Sequence, residues 1–145
     1  MIVAELNQEC LKGGQRLPRA VLDRALAVVS KELKIRKKRE VSIAFVSKRT
    51  MKQLNKTYRG KDSVTDVLSF GIDDPVSLGE LILSYDQAHL QAKQQSHSVR
   101  HEIVFLIVHG LLHLHSYDHE QEGDARKMFA VQDRLLRTLD VNPSL

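Results

Sequence analysis

At 145 residues, 42% hydrophobic and 28% charged, the chain has the make-up of an ordinary globular protein, long enough to bury one core. A single domain over residues 1–145 is expected. Its longest apolar run, IVFLIVHGLLHL from Ile103 to Leu114, is broken by two histidines and falls short of the roughly 20 residues of a membrane span. The opening MIVAELNQEC lacks the basic start, apolar stretch and cleavage site of a signal peptide. One cysteine, Cys10, allows no internal disulfide, so a reducing cytoplasm is the expected setting.

Net charge is +4, but it is unevenly spread. Residues 1–61 carry 16 Lys or Arg against 5 Asp or Glu, a surplus of 11 positive charges. The remainder carries 6 against 13, a deficit of 7. Such asymmetry suits a polyanionic partner, because each phosphate neutralised releases condensed counterions.

In chain order, residues 2–6 read as a short strand. The segment PRAVLDRALAVVSKELK has Val21, Leu22, Ala25, Val28, Val29 and Leu33 at helical spacing, with Pro18 suited to the first turn. VSIAFVS (41–47) is β-branched and aromatic, hence a strand. Ser47 can cap a second helix, KRTMKQLNKTY. RGKDSVTD is a polar loop. VLSFGI and LGELILSY form two strands around the turn signal DDPVS. Three helical stretches follow: DQAHLQAKQQ, the apolar SVRHEIVFLIVHGLLHLH and the amphipathic EQEGDARKMFAVQDRLLRTLD. The expected fold is α+β, a small mixed sheet of four strands packed with about five helices.

The stretch HGLLHLHSYDH places four of the seven histidines in eleven positions. His109 and His113 lie four apart, on one face of a helix and about 5–6 Å apart at Cβ. Two such imidazoles can share one zinc-like ion, and His119 can join them if the helix ends and the chain turns back. Ser116 and Asp118 are helix-unfriendly enough to allow that turn. Three nitrogen ligands would leave a position open, the arrangement of a catalytic zinc, and three imidazoles also suit nickel, copper or iron. The same spacing occurs in the metzincin protease signature, but Gly110 stands where its glutamate base would be and Ser116 where its turn glycine would be. A peptidase is therefore disfavoured. His115 faces away from the pair, and His89, His97 and His101 read as ordinary surface or capping residues.

Three blocks together, LNKTYRGKDSVTDVLSF (54–70), LGELILS (78–84) and HGLLHLHSYDH (109–119), resemble the YbeY family of metal-dependent endoribonucleases, and element order fits over nearly the whole chain. The resemblance implies a matrix-metalloprotease-like topology and cleavage of single-stranded RNA, with roles in maturing the 3′ end of small-subunit ribosomal RNA and in ribosome quality control. It places the metal ligands on His109, His113 and His119, around one zinc ion per chain, and the functional arginine on Arg59. This chain departs from the family at Ser116 (usually glycine), Gly71 (usually proline) and Glu80 (usually aspartate).

Arg59 suits a phosphate clamp, since a guanidinium meets phosphate oxygens in bidentate fashion; the competing reading is a salt bridge to Asp62 or Asp66. Lys61 and Lys56 can assist. Tyr58 can stack on an unpaired base, although a tyrosine ending such a helix is more often core. Expected partners are single-stranded or ribosomal RNA and the small ribosomal subunit or its protein factors, with neither DNA nor membrane. The alternatives are a zinc-dependent hydrolase of another substrate and a non-catalytic ribosome-associated zinc protein.

Overall fold

The computed structural model describes residues 1–115 and 122–140, the side chains of 122–126 and 140 excepted. In chain order it has β1 (Ile2–Asn7), a 3-10 turn (Gly13–Gln15), α1 (Arg19–Glu32), β2 (Arg39–Val46) and α2 (Lys48–Arg59). Then come β3 (Val67–Gly71), β4 (Ser77–Ser84), α3 (Tyr85–Gln94), α4 (Val99–His115) and α5 (Glu122–Asp140). This is the α+β fold expected, five helices on a four-stranded mixed sheet. Two boundaries differ from the sequence reading. Pro18 is the N-cap of α1 in extended conformation rather than part of its first turn. Tyr85 opens α3 instead of closing β4, because the Ser84 hydroxyl accepts a hydrogen bond from the Gln87 amide at 3.2 Å and starts the helix there.

The sheet runs β1-β2-β4-β3. β1 and β2 are parallel, as are β2 and β4, while β3 and β4 form an antiparallel hairpin. Strand alternation divides the side chains between two faces. On one face Ile43, Leu81 and Leu83 meet Leu22 and Val29 of α1 and Leu106, Ile107 and Leu111 of α4, all effectively inaccessible to solvent. Each such side chain contributes roughly 1.5–3 kcal/mol by leaving water. On the other face Leu68 and Ile82 are covered by Met51 of α2, with Leu54 packed beside them. α4 is apolar around most of its surface because it lies between the sheet and α1, α3 and α5. No helix among the described residues is long and apolar enough to cross a membrane.

The β3–β4 turn is organised by Asp74, whose Oδ2 accepts from the amides of Val76 at 2.8 Å and Ser77 at 2.6 Å. Those two amides, the Ser77 one foremost, hold the Asp74 carboxyl below its ordinary value of 3.8, with a smaller contribution from Arg39. A folded-state pKa lowered in this way stabilises the protein above the unfolded value and loses that contribution as pH falls through the folded one. An Asp74→Ala chain should therefore melt below the parent at neutral pH, with the gap closing on acidification below about pH 3.8. A gap independent of pH across that range would show that the carboxylate's charge is not what organises the turn.

Candidate functional site

α4 carries His109 and His113 toward its C-terminal end, one turn apart. The rings meet edge to face, with centroids 4.5 Å apart and planes at 78°, and the two Nε2 atoms lie 3.0 Å from each other. His109 also stacks against Phe105 one turn earlier, with ring planes 10° apart. Its Nδ1 lies 2.7 Å from Oε1 of Gln132, a buried residue of α5. An amide oxygen only accepts, so Nδ1 carries the proton and Nε2 presents its lone pair to His113. Two ring nitrogens so close repel unless a proton or a cation lies between them. Two nitrogen ligands of one tetrahedral zinc would stand about 3.3 Å apart. The residues present thus fit a shared cation, with Gln132 as the group that fixes one ligand's tautomer and orientation.

His113 is held below the usual imidazole range, first by partial desolvation, then by the neighbouring His109 and by the positive charge of Arg59. The His113 ring is accordingly biased to the neutral form that ligates metal. The third expected ligand, His119, lies outside the described residues, as do Ser116 and Asp118. Among the described residues alone, no group of three or more metal-ligating side chains forms. His115 is exposed, on a different face from the pair.

Arg59 ends α2, where Gly60 takes a left-handed conformation (φ 69°) and its amide bonds the Lys56 carbonyl, turning the chain into the loop. Arg59 is exposed and makes no ion pair among the described residues. Neither acid proposed as its partner takes it. Asp62 lies 4.0 Å from Lys52, and Asp66 bonds the Val67 amide and the Gln91 side chain. Lys56 and Lys61 are exposed. Tyr58 is 64% exposed, its ring set edge-on against Phe70 with centroids 5.2 Å apart, so the core reading of this tyrosine does not hold.

Sequence reasoning missed the network that pins the loop between α2 and β3. Gln91 of α3 donates from one amide nitrogen to Asp66 Oδ2 at 3.2 Å and to Oε1 of the buried Glu102 of α4 at 3.0 Å. His97 Nε2 donates to the other Glu102 oxygen at 2.6 Å, so His97 is a partner of a buried acid rather than an ordinary surface residue. At the loop's other end the Asn55 amide donates to the Ser63 carbonyl at 2.9 Å. The loop after Arg59 is thereby tied to the helix that carries the histidines. Gly110 also gains a physical reason. A Cβ there would lie 2.7 Å from Leu81 Cδ2, so this position faces the sheet and not the histidine pair.

Comparisons with known proteins identify the family. The family model for Endoribonuclease YbeY matches residues 6–140. The chain is 38% identical over 135 residues to the endoribonuclease YbeY of Limosilactobacillus fermentum, covering 83% of this chain and 86% of that one. It is 43% identical over 123 residues to that of Ureaplasma parvum serovar 3, covering 81% and 79%. It is 41% identical over 125 residues to that of Staphylococcus carnosus, covering 79% and 82%. The solution structure of a Thermotoga maritima protein superimposes with a TM-score of 0.68 at 27% identity, covering 99% of this chain and 95% of that one. The chain belongs to the YbeY family of endoribonucleases.

Proposed function

We propose that this endoribonuclease is metal-dependent and specific for single-stranded RNA, acting on the 3′ end of small-subunit ribosomal RNA and in ribosome quality control in the cytoplasm. One domain would hold one zinc ion on His109, His113 and His119. The observation that carries the reading is the 3.0 Å approach of two imidazole nitrogens, one with its tautomer set by Gln132. When bound, such an ion supplies a Lewis acid that acidifies water and draws charge from a phosphoryl oxygen. The chain's own residues do the rest. Arg59, unpaired with any acid among the described residues, grips the phosphate and offsets the charge that develops as the ester breaks. Lys56 and Lys61 hold adjoining phosphates, and the exposed Tyr58 ring, braced by Phe70, offers a face to an unpaired base. The Asp66–Gln91–Glu102 bonds keep the loop that follows Arg59 in place. With few aromatic residues overall (5%), backbone and stacking contacts dominate, and weak sequence preference is expected.

A digest of single-stranded and duplex RNA with the purified protein tests the reading. Cleavage of the single strand only, stopped by a chelator and restored by zinc, is expected. Cleavage that ignores the chelator would overturn the metal dependence, while bound zinc without any cleavage would favour the non-catalytic ribosome-associated protein. A casein digest run alongside addresses peptide hydrolysis, which the packing of Gly110 on Leu81 disfavours. Replacing Gln132 by leucine should weaken metal uptake by about 10–100-fold. Equal metal affinity in that variant would mean that His109 needs no orienting partner.

A further inference from the structure

α2 carries charge of only one sign. Its sequence, KRTMKQLNKTYR, contains five cations and no acid. Lys48 and Arg49 occupy the first turn, at the positive end of the helix dipole. Lys48, Lys52 and Lys56 succeed one another at intervals of four, a spacing at which like charges repel. At about 100° per residue, all five cations fall within one arc of about 100°. That arc is turned to solvent, centred about 110° round the helix from Met51, and every one of the five is exposed. Among the described residues only Lys52 has an acid nearby, Asp62 at 4.0 Å. An ordinary solvated helix face would intersperse carboxylates here, so a positive stripe with one acid beside it calls for an anion that the described residues do not supply.

Geometry indicates which anion. From Lys48 to Arg59 the axis advances about 16 Å, and each interval of four residues advances about 6 Å. That is close to the step between phosphates of a stretched single strand, and nearly twice the rise of about 3.4 Å per nucleotide along one strand of a duplex. The stripe ends at Arg59, at the start of the loop that Asp66, Gln91 and Glu102 tie to the helix carrying the histidine pair. The uncovered part of the sheet on the α2 side is a groove of about 510 Å³ lined by Glu5, Glu40 and Glu80, which repels a polyanion.

We propose that the outer face of α2, along Lys48, Lys52, Lys56 and Arg59, is a track for the sugar–phosphate backbone of single-stranded RNA that leads the strand to the histidine pair from the Arg59 end. The inference rests on the reading of the chain as an RNA-cleaving enzyme, and it extends the contact surface well beyond the scissile phosphate. Affinity should then grow with strand length until the track is filled.

Fluorescence anisotropy with labelled 2′-O-methyl oligouridines of increasing length, from four nucleotides to twelve, measures this on the full chain. In a Lys48→Glu/Lys52→Glu variant the affinity gained on lengthening the strand should fall by about tenfold, and the slope of log affinity against log salt should drop by about 1.4. The same variant should melt close to the parent, because relief of the repulsion along the stripe and an acid in the first turn offset the loss of the exposed Lys52–Asp62 pair. An Arg36→Glu/Lys37→Glu variant, with the same change in net charge on the exposed loop before β2, should keep the length-dependent gain. Equal losses in the two variants would reduce the effect to overall charge and sink the track. So would an undiminished gain in the α2 variant, even if the enzyme cuts RNA. A parent protein that shows the gain yet cleaves nothing would overturn the enzymatic reading and leave the track standing.

Discussion

Replacing His113 by alanine is expected to abolish zinc binding and, with it, RNA cleavage, lowering the rate by about 10³-fold or more, equivalent to about 4 kcal/mol of barrier. The magnitude follows from the pairing with His109. Once the His113 Nε2 is removed, His109 loses the ring nitrogen that stood 3.0 Å from its own, and an ion held by fewer imidazoles exchanges away. Folding should suffer little, because His113 is exposed and the helix around it is held by Leu111, Leu112 and Leu114. Arg59→Ala provides the contrast. It should retain full zinc stoichiometry while cleavage falls by about 10²–10³-fold, the usual effect of removing one charge-stabilising donor. Metal analysis beside a single-turnover digest separates the two outcomes. Zinc retained at parental stoichiometry in His113→Ala would remove this ring from the ligand set, and full cleavage by Arg59→Ala would remove the clamp. The depressed His113 value adds a pH expectation. A ring that is neutral below the ordinary 6.5 should go on taking up metal as pH falls through that value, and fail only further down.

Local order in this chain is written in local signals, and those were legible. The apolar repeat of α1, the β-branched run of β2, the Ser47 cap (its hydroxyl accepts from the Thr50 amide at 3.2 Å) and the DDPVS turn each depend on neighbours a few residues away. The four-residue spacing of His109 and His113 is of the same kind. What escaped depends on residues brought together from afar. Gln132 reads as one more polar residue on an amphipathic helix until α5 lies against α4 and its amide reaches His109 across 23 positions. Gln91 and Glu102 carry no motif, yet their bond and the link to Asp66 hold the Arg59 loop. The partnership of His97 with Glu102 also rests on burial, which no periodicity around residue 97 announces. Tyr58 is the reverse case. Its position on α2 suggests core, but β3 ends nearby with Phe70 partly exposed, so the ring rests edge-on there and stays in solvent.

Gly79→Ala is expected to be the most damaging single change to stability, costing about 3–4 kcal/mol and lowering the melting temperature by about 10 °C. Gly79 sits in the central strand β4 with φ at 127°, where the β2–β4 register slips between Glu40 and Val41 and leaves Leu78 as the extra residue of a bulge. A methyl group there would lie 2.1 Å from the Phe70 carbonyl oxygen, and backbone cannot swing aside as a side chain can. Relief requires β3 to separate from β4 or the bulge to straighten. Straightening would turn Glu80 toward the core and Leu81 outward, because strand side chains alternate. Leu81 is the residue on which Gly110 packs, beside His109, so the disturbance should reach the histidine pair as well as the melting curve. Gly60 isolates the conformational part of this cost. It too has positive φ, at 69°, but nothing lies within 4 Å of a Cβ placed there, so Gly60→Ala should cost only about 1 kcal/mol. Urea titrations of the two variants measure the difference. Equal losses would mean that the Phe70 contact yields freely and that backbone conformation alone selects glycine at position 79.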